Sequence, residues 1–447
     1  MEQAALAALV MVVSIVIMLA LGFPIGLSIG AGAAAAVMVV LPFEQAMMTA
    51  AKRTFTGANS FSLLAIPFFV LAGNIMNNGG IAKRLIGCAK ILAHKLPGAL
   101  AQTNIVANML FGAISGSGVA AASAMGGILG PMEEEEGYAR EFSAAVNIAS
   151  GPTGMMIPPS NIMIVYSTVA GSVSIAALFM AGYIPGILWG IGCMILTGFM
   201  AKKRGYVSTE KFPLKLALKT LWEGIPSLLL IVIVIGGILG GVFTATEGSA
   251  IAVVYSLLLS VIYRSIKMKD LPKILLASVK TTAVVEFLVC VSSIMSWVMS
   301  FAKIPQMISN AMLGISNNPI VILIIMNIIL LLVGTFMDPT PAVLIFTPIF
   351  LPIVQSFGMN AVHFGLMMVM NLCVGTLTPP VGAILFAGCK IANVKIEQVI
   401  KTLLPFFGVV LVALLLITYI PFFSLLIPKA LGLISLPAGF NMFFVGG

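Results

Sequence analysis

The residues able to do chemistry in this 447-residue chain are hydroxyls, glycines and prolines set among apolar neighbours. They gather in four clusters. Phe111-Gly-Ala-Ile-Ser115-Gly-Ser117-Gly118 and Gly334-Thr335-Phe-Met-Asp338-Pro339-Thr-Pro341 each interrupt an apolar run of hairpin length. Ser150-Gly-Pro152-Thr153-Gly154-Met-Met-Ile157-Pro158-Pro159-Ser160-Asn161 and Val374-Gly375-Thr376-Leu-Thr378-Pro379-Pro380-Val381-Gly382 interrupt two more. Glycine admits positive φ and proline removes a backbone donor, so each cluster should break a helix. An unwound stretch leaves carbonyl oxygens for a cation, and the half-helix after it offers N–H groups to an anion. Sodium is a hard ion that favours oxygen ligands, so each hairpin tip with its unwound stretch makes one candidate Na+ site. Pro and Gly also simply kink helices, which would explain one such motif but poorly explains two symmetric pairs.

The elements that position these clusters follow from composition. Hydrophobic residues make up 60% of the chain and charged residues only 8%, against about 25% charged in a soluble domain. A water-soluble enzyme, a disordered chain and a small secreted scaffold are excluded. Charge-free runs such as Gln3 to Phe43, Phe142 to Ala201 and Pro339 to Cys389 are long enough for two or more spans each, at roughly 20 residues per span. The expectation is an all-α polytopic membrane protein with about ten or eleven transmembrane helices plus two re-entrant helical hairpins. The first apolar run lacks a positive n-region and reads as a retained span.

Basic residues fall in a few loops: Lys83–Lys95, Arg140, Lys202–Lys219, Arg264–Lys280 and Lys390–Lys401. Of the 23 Lys and Arg, only Lys52, Arg53, Lys303 and Lys429 lie elsewhere. With those loops cytoplasmic the positive-inside rule is met and the N-terminus is periplasmic. The formal charge of +9 is then topology, and nucleic acid is not a partner. Three acidic residues lie in apolar surroundings, where carboxylates are functional candidates. Glu247 in Thr244-Ala-Thr-Glu247 reads first as a helix cap, and Glu286 as a partner for Lys280. Asp338, at a hairpin tip, is the candidate for substrate or coupling. Glu133–Glu136 reads as a solvated cytoplasmic turn, and Lys215–Trp222 as an amphipathic interfacial helix. The five cysteines stand singly, and no Walker or HExxH motif occurs, so neither an enzyme nor a bound cofactor is expected.

The chain also repeats itself. Gly154-Met-Met-Ile-Pro158-Pro159 recurs as Gly375-Thr-Leu-Thr-Pro379-Pro380, an offset of 221, and three further matches share nearly that offset. The halves are assigned as 1–205, with a hairpin at about 96–132 and a broken helix at about 142–168, and 224–428, with a hairpin at about 317–357 and a broken helix at about 365–389. A cytoplasmic amphipathic connector, 206–223, joins them, and 429–447 is a tail. The first hairpin is flanked by charged loops and the second by uncharged ones, so the halves should be inverted, as in many secondary transporters.

Gly22-Phe-Pro-Ile-Gly26, Ala65-Ile-Pro-Phe-Phe69 with Ala72-Gly-Asn74, Ser115-Gly-Ser117-Gly118, Phe243-Thr-Ala-Thr-Glu247, Asp338-Pro-Thr-Pro341 and the two Pro-Pro motifs together resemble one family. It is the large membrane subunit of tripartite ATP-independent periplasmic (TRAP) transporters, in the ion transporter superfamily, and the resemblance covers about 1–428. It implies an elevator mechanism with transport and scaffold domains. It further implies Na+-driven uptake of an organic acid, of the sialic acid or C4-dicarboxylate type, delivered by a periplasmic substrate-binding protein. A separate small four-helix membrane subunit would be a second partner, and the bacterial inner membrane the location. Carried over by motif, the first Na+ site is Ser115, Ser117, Gly154, Ile157 and Pro158. The second is Gly334, Gly375, Thr376, Thr378 and Val381, and the substrate candidates are Ser115, Asn161 and Asp338. The chain resembles the unfused type, which takes its small subunit separately. A stand-alone Na+/dicarboxylate symporter of the same superfamily and a non-transporting membrane scaffold are the competing readings.

Overall fold

The computed structural model describes residues 2–171, 173–206, 214–316, 318–437 and 439–445. Residues 207–213 of the expected connector, Lys211 among them, and three residues of the tail lie outside the described set. Among the described residues the fold is helical, with no strand. In chain order the helices are α1 Glu2–Ala20, α2 Ile25–Val40, α3 Phe43–Ala58, α4 Ala65–Asn78, α5 Ile81–Ala93, α6 Ala99–Ser115 and α7 Gly118–Glu135. There follow α8 Arg140–Ser150, the single turn α9 Thr153–Met156, α10 Asn161–Ala170, α11 Ile175–Arg204, α12 Leu214–Leu239, α13 Ala245–Ile262 and α14 Leu271–Phe301. The last third holds α15 Ile304–Ile315, α16 Pro319–Phe336, α17 Pro339–Ser356, α18 Ala361–Gly375, α19 Ala383–Ala392, α20 Ile396–Tyr419 and α21 Phe422–Ala430.

The helix starts repeat at the sequence offset. α17 begins 221 residues after α7, α18 after α8 and α20 after α11, and α16 and α19 start within about two residues of that register. Nine helices among the described residues are long and apolar enough to cross a membrane. That number differs from ten or eleven spans for a physical reason. It takes in both arms of the second hairpin, α16 and α17, and leaves out α2 and the broken pairs α8–α10 and α18–α19, whose pieces are individually too short. The chain is an integral membrane protein, and Val12, Val16 and Ile17 on α1 are more than half exposed, as a lipid-facing or partner-facing helix requires.

Two packed groups of helices form the body. α1, α2, α3, α4, α13 and α14 pack on one another. α6 to α11 pack together and meet α18, α19 and α20 in the same way. The groups touch through α4 on α6 and α14 on α17, so the hairpin ends rest against the first group. Asparagines staple each hairpin to its neighbouring broken helix. Asn108 on α6 donates to Asn147 Oδ1 (3.0 Å) and Ser150 Oγ (2.9 Å) on α8. In the second half Asn371 on α18 donates to Asn327 Oδ1 on α16 at 2.6 Å. With little hydrophobic drive between helices in lipid, such bonds and close packing supply the cohesion.

Two readings of single residues change. Glu133 is not solvated: it is fully buried and accepts from Asn104 Nδ2 at 3.3 Å, while Glu134–Glu136 are exposed. Glu286 makes no ion pair with Lys280; among the described residues the recorded pairs are Arg140–Glu134 and Lys219–Glu223. His363 is buried, held by Ser424 and the Thr418 carbonyl. Glu247 does close a capping box with Thr244 at the start of α13.

Candidate functional site

The first hairpin turns on two residues. Gly116 takes φ +63°, which a side chain disfavours, and Ser117 caps α7, its hydroxyl accepting from Ala120 N at 3.3 Å. A Cβ on Gly116 would stand 3.3 Å from both the backbone N and Nδ2 of Asn161 and from the Pro159 carbonyl. The hairpin tip therefore lies directly against the first unwound stretch. One turn deeper the two elements cross backbone to backbone: a Cβ on Gly112 would come within 2.1 Å of Gly154 Cα. The second half repeats this contact, with a Cβ on Gly375 2.4 Å from the Gly334 carbonyl carbon. Gly382 N donates to Thr335 O at 3.2 Å, tying the second unwound stretch to the second tip. Both Pro158–Pro159 and Pro379–Pro380 are cis.

The oxygens present suit a hard cation. Asn161 Oδ1 is buried and has no hydrogen-bond partner, a cost that a bound cation would relieve. The Ser115 hydroxyl reaches only Ser117 O, at 3.5 Å. In the second half the Thr376 and Thr378 hydroxyls donate to Cys373 O (2.6 Å) and Val374 O (2.9 Å). Their protons point away, leaving lone pairs for a metal. The two stretches are not equivalent: 151–160 is buried throughout, whereas Val381 is 46% exposed.

A cavity of about 510 Å3 lies where the four breaks converge. Of the expected site residues it collects Ser115, Ser117, Asn161, Asp338 and Thr376. Gly154, Gly334 and Gly375 sit behind it at the crossings, Ile157 packs on Gly186 of α11, and Pro158, Thr378 and Val381 are not on its wall. Asp338 is exposed and caps α17, accepting from Thr340 N at 3.0 Å. The opposite wall, which the sequence reading did not include, is Asn74 and Asn77 of α4 and Thr281 of α14. Asn74 is fixed by a 2.8 Å bond to Ser278 Oγ. Its only signal in the sequence is the Ala72-Gly-Asn74 motif. The cavity touches α14 from Thr281 to Leu288, about the middle of that helix.

Four helices begin on this wall: α7 at Gly118, α10 at Asn161, α17 at Pro339 and α19 at Ala383. Each helix N-terminus carries roughly half a positive charge. No Lys, Arg or His is among the described lining residues. The arrangement can hold an anion by helix ends and hydroxyls, with cations bound at its two flanks.

Residues 12–423 match the model of the tripartite ATP-independent periplasmic transporter, DctM component. The chain belongs to this family. It is 53% identical to an uncharacterised protein, YgiK, of Salmonella typhimurium, over 88% of this chain and 90% of that one. It is 41% identical to the isethionate TRAP transporter permease protein DctMQ of Oleidesulfovibrio alaskensis, covering 83% of this chain and 59% of that longer one. With the sialic acid TRAP transporter large permease protein SiaM of Vibrio cholerae it shares 37% identity, over 85% and 89% of the two chains. The YdaH transporter of Alcanivorax borkumensis superposes with a TM-score of 0.61 over 84% of this TRAP subunit and 88% of its own chain, at 14% identity. That likeness is one of fold alone.

Proposed function

We propose that this large TRAP subunit moves an organic acid across the bacterial inner membrane in symport with Na+, by alternating access of the elevator type. The observation that carries the reading is the convergence of four helix N-termini and two hydroxyl-rich tips on one cavity without a basic side chain. The acid group rests on the helix ends, with Ser115 and Asn161 as its hydroxyl and amide partners and Asp338 facing its polar end. Na+ binds at Ser115, Ser117, Gly154, Ile157 and Pro158 on one flank, and at Gly334, Gly375, Thr376, Thr378 and Val381 on the other. Each ion lies between a tip and the unwound stretch it touches, so binding locks the hairpin in place. The orphaned Asn161 Oδ1 supports the first site. The helices that carry the two hairpins form the moving body, and the α1–α4 and α13–α14 group the scaffold. The basic loops lie in the cytoplasm, which puts the N-terminus in the periplasm.

A small four-helix membrane subunit braces the scaffold, and a periplasmic binding protein delivers the substrate. The relatives' names, isethionate and sialic acid, share an acid group on a hydroxylated body. The test is uptake into proteoliposomes holding the two membrane subunits. Uptake should need both an inward Na+ gradient and the loaded binding protein. Uptake indifferent to Na+ would refute the coupling, and uptake without the binding protein would identify a stand-alone symporter.

A further inference from the structure

On the side away from the basic loops, a second recess of about 480 Å3 sits between the two groups of helices. Arg53 of α3 and Thr168 of α10 face Ser292, Ser296, Trp297 and Ser300 of α14 across it. The three serines are spaced four apart, a stripe of hydroxyls down one helix face. Arg53 lies 5.8 Å above the Trp297 ring, which itself stacks on Phe301 at 4.8 Å. Among the described residues no carboxylate is within ion-pair distance of Arg53. Ser292 is 1% exposed, and its hydroxyl has no hydrogen-bond partner. α3 is held tightly on α14, since a Cβ on Gly57 would meet Ser293 Oγ at 2.4 Å.

A half-buried guanidinium with no counter-charge among the described residues, sharing its recess with the unpaired Ser292 hydroxyl, is the chemistry that binds a carboxylate or sulfonate. α14 lines both spaces, the cavity from Thr281 to Leu288 and the recess from Val289 to Ser300. At 1.5 Å per residue the two centres are roughly 15 Å apart along the helix. We propose that the recess is an entry site for the acid group of the substrate, with Arg53 as the charge that receives it before it reaches the four-helix cavity. The proposal rests on the organic-acid reading above. It adds a site on the opposite half of α14.

Trp297 is a built-in reporter. Trp189 is fully buried and Trp222 is 76% exposed, so Trp222→Phe in the purified full-length chain leaves Trp297 as the tryptophan a solute can reach. Iodide should quench it strongly, and isethionate or succinate should protect it, at constant ionic strength. Arg53→Gln should lower iodide quenching several-fold and abolish protection, while quenching by neutral acrylamide stays the same, which verifies the fold. Arg53→Lys should retain part of the effect, and Lys52→Gln all of it. In proteoliposomes Arg53→Gln should raise the external KM about tenfold or more with the maximal rate kept, the worth of one charge-assisted hydrogen bond. Equal iodide quenching in Arg53→Gln and parent, or no protection by either acid, overturns the entry site. Normal transport beside that result leaves the transporter reading standing. An Arg53-dependent quenching pattern in a protein that transports nothing sinks the transporter reading and keeps the anion site.

Discussion

The backbone crossing of Gly112 and Gly154 offers the sharpest single test of the proposed Na+ site at the first hairpin. In Gly154→Ala the new Cβ would stand 2.3 Å from Gly112 Cα. Ordinary contact begins near 3.4 Å, so α6 and the unwound stretch must separate by about 1.1 Å. Neither atom belongs to a rotatable side chain, so no rotamer change relieves the clash. Overpacking of this kind costs about 1–3 kcal/mol, and the upper half of that range is expected here. The functional cost should exceed the structural one. Hard cations hold their oxygen ligands within a few tenths of an ångström, so a shift of 1.1 Å removes at least one ligand from any ion bridging the tip and the stretch. The Na+ concentration for half-maximal uptake should rise tenfold or more, while the detergent-solubilised protein melts measurably earlier. Gly127→Ala is the matched control on α7. Its Cβ meets nothing within 4 Å, and alanine is better by about 1 kcal/mol in a helix interior. It should melt no earlier and respond to Na+ as the parent does. A Gly154→Ala protein with the parental Na+ response would refute the placing of the ion at this crossing.

Substitutions at four other positions probe separate parts of the molecule. Ser115→Ala and Thr378→Ala each remove one hydroxyl ligand from opposite flanks, so each should weaken Na+ dependence in an ion titration of uptake while leaving expression and melting near normal. Asp338→Asn keeps the cap on α17, because Asn and Asp are near-equal there, but removes the charge; a competition assay should show tighter binding of simple dicarboxylates and weaker binding of hydroxylated acids. Glu133→Ala leaves the Asn104 amide without its buried acceptor, which should cost about 1–3 kcal/mol in thermal unfolding, whereas Glu133→Gln should recover most of it.

The breaks were legible because their causes are local. Glycine at Gly116 and prolines at Pro158–Pro159 and Pro379–Pro380 act on their own backbone, and the offset of 221 carries through to the helix starts. What depends on facing helices was not legible. Four consecutive glutamates look solvated, and what makes Glu133 different is its burial against other helices, with Asn104, 29 residues upstream, as a donor. Lys280 and Glu286 lie six positions apart, which on a helix points them to different faces. Asn77 and Thr281 became cavity wall only once α4 and α14 were set opposite the tips. Span counting differs for a similar reason, since a length criterion counts Pro339–Ser356 and passes over broken pairs such as α18–α19.

The electrostatics of the cavity explain why so few charges suffice. A lysine or arginine on this wall would bind an acid group at least as well as helix ends do, but under the proposed elevator movement it would add a further full charge to the moving body. Helix N-termini supply attraction without that burden, because each partial charge is balanced within its own helix. Asp338 then acts on one of the four. By accepting from Thr340 N it offsets the N-terminus of α17 and leaves those of α7, α10 and α19 for the acid group. The cavity is thereby polarised, attractive to an anion on three sides and to a donor on the fourth. A hydroxyl beside an acid group fits both ends, and a bare second carboxylate fits only one. The first break, 151–160, is buried throughout, and the second ends at the half-exposed Val381. The flank most shielded from water is also the one that holds the orphaned Asn161 oxygen, the group that the proposed Na+ would satisfy.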